Sequence, residues 1–217
     1  MILILLGPPG AGKGTQAKLL ANELRIPHVS TGDMFRDHTS RGTELGLRVK
    51  SIMANGGLVP DEVTNEMVRD RVSRPDVKGG FILDGYPRTI PQAEFLEKLL
   101  ADLGRKLDRV VSYEVNEGAI VERISGRRSC PSCGQAYHVT SNPPRREGMC
   151  DRDQTPLVLR EDDRPEKVLH RMQEYAAKTA PLKAFYGARK SILEIDGMLA
   201  PDAVLGATLS GLGVKKG

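Results

Sequence analysis

Three cysteines are placed so that they could share a metal. Cys130 and Cys133 stand in "SCPSCGQ", and Cys150 opens "CDRD", which puts Asp153 three residues further on. Both pairs have the same two-residue gap, the spacing at which a tight turn aims two side chains at one tetrahedral centre. Thiolates select a borderline-soft ion, so Zn²⁺ is the expected metal, with a carboxylate oxygen acceptable as fourth ligand. His138 and Asp151 are the alternatives for that position, and Asp153 is preferred because it alone repeats the spacing. Four protein ligands leave no open coordination position, so such an ion would be structural.

A second group of residues belongs to phosphate chemistry. "GPPGAGKGT", residues 7–15, follows an apolar run and precedes a helical pattern. Glycines let the successive backbone N–H groups of Gly10, Ala11, Gly12, Lys13, Gly14 and Thr15 curl around an anion at a helix N-terminus, while Lys13 reaches the β and γ phosphates. The general motif has Ser or Thr directly after the Lys; here Gly14 intervenes before Thr15.

These residues need a scaffold, and the hydrophobic pattern supplies one. Short apolar runs at 1–6, 80–84, 109–115 and 192–196, with a weaker one near 27–30, alternate with helical patterns at 13–24, 61–73, 91–103 and 164–185. That alternation predicts an α/β fold with a parallel sheet covered by helices on both faces. Asp163 is the expected N-cap of the last helix, with Pro165 just inside. Two stretches break the pattern: 30–59, which ends in "NGGLVP", and 127–163, rich in Cys, Pro, Gly and Arg. Both are expected to be insertions on a core of 1–29, 60–126 and 164–217. No internal repeat is present, and the terminal "GVKKG" reads as a short disordered tail.

A chain of 217 residues with 28% charged and 39% apolar residues is large enough for a substantial core. The N-terminal apolar run lacks a basic flank and leads into glycines, so it reads as a buried strand and not as a signal or anchor. An odd, small cysteine number points to a reducing compartment, with the cytoplasm as default. The net charge of +4 suits an anionic partner, whereas 4% aromatics without Trp argue against a single-strand stacking platform. None of the four histidines has sequence neighbours that suggest catalysis, and all read as surface or packing residues.

"GPPGAGKGTQA", "STGDMFR", "DGYPRT", "GRR" and "REDDRPE", in this order over nearly the whole chain, resemble the nucleoside monophosphate kinases, and among them the long-lid, zinc-containing adenylate kinases of bacteria. The Gly14-Thr15 departure is normal for that family. The resemblance implies a P-loop NTPase-like fold and reversible, Mg²⁺-dependent transfer of the terminal phosphoryl group from ATP to AMP, giving two ADP. It places ATP on the glycine loop and Arg127, with the adenine near Ala136, Tyr137 and Leu199. It places AMP on Thr31, Arg36, Gly57, Leu58, Val59, Gly85, Tyr86, Pro87, Arg88, Gln92, Arg160 and Arg171, which makes 30–59 the AMP-binding insertion. Read without it, Thr31 is a helix cap, Arg36 a solvated charge and Asp84 a turn former.

By the same resemblance Asp84 orders the Mg²⁺ hydration shell, and Lys13, Arg88, Arg127, Arg160 and Arg171 converge on the phosphates. Asp162 and Asp163 orient arginines of the 127–163 segment, which becomes a zinc-stapled lid; the adenylate kinase lid is itself a standard instance of closure that keeps water from the reaction. No general base is needed, because the AMP phosphate is ionised and is itself the nucleophile. The expected protein is a monomer that handles ATP, AMP and ADP and neither nucleic acid nor membrane. A zinc-ribbon nucleic-acid binder would leave the glycine loop unexplained, and a nucleotide-bound switch would leave the paired mononucleotide motifs unexplained. A UMP/CMP kinase is the alternative inside the family; those typically carry Asn where Thr89 stands and a much shorter lid.

Overall fold

The computed structural model describes residues 1–214; residues 215–217 of the terminal "GVKKG" lie outside the described residues. Five strands form one parallel sheet, in the order β2 (His28–Ser30), β3 (Phe81–Asp84), β1 (Ile2–Leu6), β4 (Arg109–Glu114) and β7 (Ile192–Asp196). Side chains alternate across a strand, and β1 shows the result. Ile2, Ile4 and Leu6 join the core on one face, with α4 (Asp61–Val72), α5 (Ile90–Asp102) and α8 (Pro181–Ala188). Leu3 and Leu5 join the core on the other face, with α1 (Lys13–Leu24) and α9 (Pro201–Gly211). Burial on both faces is why β1 reads as an unbroken apolar run, and each such side chain contributes about 1.5–3 kcal/mol of transfer free energy.

The stretch 30–59 is helical: α2 (Thr31–Ser40) and α3 (Glu44–Ala54) surround a small apolar cluster of Phe35, Val49, Val59 and Met67. The helix cap here is Ser30, whose hydroxyl accepts from Asp33 N–H at 3.2 Å; Thr31 is not the cap, and its hydroxyl donates instead to Gly85 O at 2.9 Å. The stretch 127–163 holds the antiparallel pair β5 (Arg127–Ser129) and β6 (Ala136–His138) over Cys130, Tyr137 and Cys150.

The sequence pattern departs from the structure in the helices. The single helix expected over 164–185 is divided: α7 (Pro165–Glu174) runs into a π turn at Tyr175–Thr179, and α8 then starts at Pro181. Proline has no N–H for the helical ladder, and the register slips so that Ala180 N–H bonds Tyr175 O, five residues back, at 2.8 Å. The N-cap of α7 is Arg164 without a side-chain bond, so Asp163 is not the cap expected of it. Finally, α6 (Glu117–Ser125) and α9 went unread. The first is short, and the second is diluted by Gly206 and Gly211.

Candidate active site and metal centre

The carboxyl ends of β1, β2 and β3 open into one cavity of about 740 Å³, at the position where open α/β sheets hold ligands. Gly10 and Gly12 shape its floor with φ of 81° and 88°, a region that side-chain-bearing residues rarely adopt. Gly12 O then accepts from both Thr15 and Gln16 N–H at 3.0 Å and starts α1. Lys13 folds back over this loop and donates to Gly7 O at 2.6 Å and Pro8 O at 2.8 Å.

Around this loop the cavity is lined by Thr31, Arg36, residues 57–59, Asp84, Gly85, Pro87, Arg88, Gln92, Arg127, Ala136, Tyr137, Arg160, Asp162, Arg171 and Leu199. Two of the residues expected at the nucleotide site, Tyr86 and Asp163, do not line it. Tyr86 is 1% exposed, its ring in the core under the sheet and its hydroxyl donating to Asn65 Oδ1 at 2.6 Å. Asp163, 3% exposed, is a buried anion behind the wall. It accepts from Arg127 Nε at 2.7 Å and from Arg171 at 2.8 Å, while Asp162 takes Arg171 at 3.1 Å. One carboxylate therefore ties the start of β5 to α7.

The cations crowd one another. Burial pulls Lys13 down to about 8, with Asp84 acting against it and Arg88, Arg171 and Arg127 adding to it. Burial likewise lowers Arg88 to about 10, helped by Arg171, and Arg160 to about 10, helped by Arg36 and Arg127. Arg160 donates to the neutral Ser129 hydroxyl at 2.8 Å, and among the described residues neither it nor Arg88 has a carboxylate within ion-pair distance. Desolvated, under-neutralised cations in a cavity are the arrangement that an anionic ligand relieves. Arg36, by contrast, is held by Asp33 at 2.6 Å. Burial alone would raise Asp84, but the His28 hydrogen bond and Lys13 prevail and hold it below the usual carboxylate range.

His28 corrects the sequence reading of the histidines. Its Nε2 lies 3.2 Å from Asp84 Oδ2 and its ring lines the cavity. Arg123, on the unread α6, also reaches the cavity and donates to Gly197 O at 2.8 Å. The basic run "ERISGRR" was the available signal, but without the helix nothing separated Arg123 from a surface charge.

The cysteines form a second centre. Cys130, Cys133, Cys150 and Asp153 offer ligand atoms that all lie within 4.8 Å of one another. The two knuckles repeat each other bond for bond. Cys130 N–H donates to Gln135 O and Cys150 N–H to Thr155 O, both at 2.9 Å. Gly134 N–H returns to Cys130 O at 3.1 Å and Gln154 N–H to Cys150 O at 2.9 Å, with Gly134 and Gln154 at φ of 68° and 58°. Cys133 and Cys150 sulfurs are 3.6 Å apart, and Cys130 Sγ is 3.4 Å from the Asp153 carboxylate. Metal–sulfur bonds of about 2.3 Å put tetrahedral ligands about 3.8 Å apart, so the cluster has the size and donor set to bind a metal. The alternatives are engaged elsewhere: the His138 ring nitrogens face Thr140 and Glu122 O, and Asp151 Oδ1 accepts from Arg145 N–H at 2.8 Å.

The profile of the adenylate kinase family matches residues 5–191. Among similar proteins, an adenylate kinase of Anaeromyxobacter sp. strain Fw109-5 is 67% identical over 208 residues, 96% of this chain and 97% of its own length. One from Anaeromyxobacter dehalogenans strain 2CP-1 is 63% identical over 98% of this chain and its full length, and one from Finegoldia magna is 52% identical over the full length of both. Because the profile spans most of the chain and relatives more than half identical align with nearly all of it, the chain belongs to the adenylate kinase family.

Proposed function

We propose that the chain transfers the terminal phosphoryl group of MgATP reversibly to AMP, giving two ADP. The observation that carries this reading is that one cavity contains the phosphate loop, the residues assigned to AMP except Tyr86, and five cations from separate elements. Gly10 to Thr15 bind the ATP phosphates through backbone N–H groups, and Ala136, Tyr137 and Leu199 flank the ATP adenine. Thr31, Arg36, residues 57–59, the 85–88 turn and Gln92 bind AMP. Tyr86 contributes its backbone there, since its side chain is in the core. Lys13, Arg88, Arg127, Arg160 and Arg171 neutralise charge spread over the transferred group, and Asp84 orders water around the nucleotide's Mg²⁺. Asp162 and Asp163 hold Arg171 and Arg127 in place.

Residues 127–163 act as a lid that excludes water, 30–59 as the AMP-binding unit, and the remainder, 1–29, 60–126 and 164–217, as the core. Cys130, Cys133, Cys150 and Asp153 would hold a structural Zn²⁺ that staples this lid, whose own apolar cluster is small. The protein acts as a cytoplasmic monomer without nucleic-acid or membrane partners. No helix among the described residues is long and apolar enough to cross a membrane.

The test is a panel of nucleoside monophosphate acceptors with MgATP, with metal analysis of the same sample. AMP should be phosphorylated fastest, and one zinc per chain should be found. Equal or faster use of CMP or UMP would overturn the base assignment, and ATP hydrolysis indifferent to every acceptor would overturn the reaction class.

A further inference from the structure

We infer that Asp61, which belongs to none of the motifs above and does not line the cavity, is a positioning residue that sets the choice of acceptor base through Gln92. The inference rests on the assignment of Gln92 to AMP. Asp61 is the first residue of α4, and its two oxygens grip the cap and first turn of α5. Oδ1 accepts from Gln92 Nε2 at 2.7 Å, and Oδ2 accepts from the Thr89 hydroxyl at 2.7 Å. The other end of the same amide is held too, because Gln92 Oε1 accepts from Arg88 N–H at 2.7 Å. Gln92 is 2% exposed.

Turning the amide over would set its NH₂ against Arg88 N–H and its oxygen against the Asp61 carboxylate. Donor would face donor and acceptor would face acceptor, so the orientation is locked from both sides. After these bonds the amide still has one N–H and one oxygen lone pair. A neighbouring donor and acceptor complement the Watson–Crick edge of adenine, which offers N1 as acceptor and the exocyclic amine as donor. Hypoxanthine presents the reverse, N1–H and O6, and would require the amide turned over. Asp61 is half of the lock that forbids this, and the same amide bonds the backbone of Arg88, one of the phosphate-binding cations.

The experiment measures steady-state kinetics with AMP and with IMP as acceptors for the wild type, Asp61→Ala, Asp61→Asn and Thr89→Val. Losing a charge-assisted buried hydrogen bond should raise KM for AMP about tenfold in Asp61→Ala, with KM for ATP changed less than about twofold. The AMP-to-IMP ratio of kcat/KM should fall by at least about fivefold, because the amide can now turn. Asp61→Asn keeps a carbonyl oxygen for Gln92 and should retain most of the AMP affinity. Thr89→Val removes the other arm and the α5 cap but leaves the Asp61–Gln92 bond, so it should lower the melting temperature and change the AMP-to-IMP ratio less than Asp61→Ala does. If Asp61→Ala does not fold, Asp61→Ser, too short to reach Gln92 yet suited to a helix start, carries the same expectation. Unchanged KM and ratio in Asp61→Ala, or equal changes in Asp61→Ala and Thr89→Val, would overturn the inference. A wild type inactive with AMP would overturn the proposed reaction itself, a separate result.

Discussion

Lys13 shows how a single residue carries both the fold's strain and the ligand's reward. Its ammonium bonds two carbonyls of its own loop, and burial lowers its pKa from 10.5 to about 8. The unfolded chain holds this proton up to 10.5 and the folded one releases it near 8, so the cost of keeping the charge in the cavity is relieved as pH rises above about 8. A bound phosphate favours the charged form and raises the pKa again. We therefore expect MgATP binding at pH 8.5 to take up a fraction of a proton, read by calorimetry in two buffers of different ionisation enthalpy. The uptake should vanish in Lys13→Ala and shrink in the wild type at pH 6.5. The same variant should fold yet lose roughly a hundredfold in kcat, about 3 kcal/mol of transition-state stabilisation. Equal uptake in wild type and variant would remove Lys13 from the phosphate site. Residues of this kind are legible in sequence because the glycine loop encodes its own geometry locally. His28 was not, since its partner Asp84 lies 56 residues away; Asp163, 36 residues from Arg127, was singled out only through the family resemblance and not from its local pattern.

Among the elements, the paired knuckles were readable for the same local reason. Four residues define each turn, and Gln154 adopts the left-handed conformation that Gly134 adopts in its twin. Strands β1, β3 and β4 were readable because burial on both faces leaves nearly continuous apolar runs, and the edge strand β7 because Ile192, Leu193 and Ile195 keep a short apolar pattern. The break between α7 and α8 was hidden because Pro181 follows a stretch whose pattern looks continuous, and only the lost N–H reveals the slip. That slip has a role in placement, since it leaves the Thr179 hydroxyl donating to Arg88 O at 2.9 Å. The knuckles also bear on stability. Cys130→Ser should abolish zinc binding and lower the melting temperature by at least about 5 °C, roughly 2 kcal/mol for a chain of this size, while phosphoryl transfer at moderate temperature is largely kept. The reason is that the Cys130, Cys133, Cys150 and Asp153 cluster closes two turns and touches none of the cavity cations. A metal-free wild type, or a variant that is fully stable yet inactive, would show that the cluster has another purpose.

At the scale of the whole molecule, the cavity cations come from elements far apart in the chain: the loop after β1, the end of β3, the start of β5, the segment before α7, and α7 itself. An anion that reaches all of them replaces their mutual repulsion with shared attraction, and it links the sheet end to β5 and α7, which Asp163 ties to each other. Two nucleotides in one cavity should then be mimicked by one molecule, two adenosines joined 5′ to 5′ through a chain of phosphates. A single nucleotide at a hundred times its Kd adds about 2.7 kcal/mol to stability, about 5–10 °C for a domain of this length. Tethering makes binding of the second adenosine intramolecular, at an effective concentration of about millimolar, and so tightens the whole ligand about a hundredfold or more. At equal concentration the joined ligand should thus raise the melting temperature about 5–10 °C beyond ATP. The excess should shrink as salt screens the cations. Differential scanning calorimetry with ATP, AMP, their mixture and the joined ligand decides the matter. A joined ligand no better than ATP alone would mean that the two phosphate ends cannot be occupied at once, and the direct transfer between nucleotides would have to be abandoned.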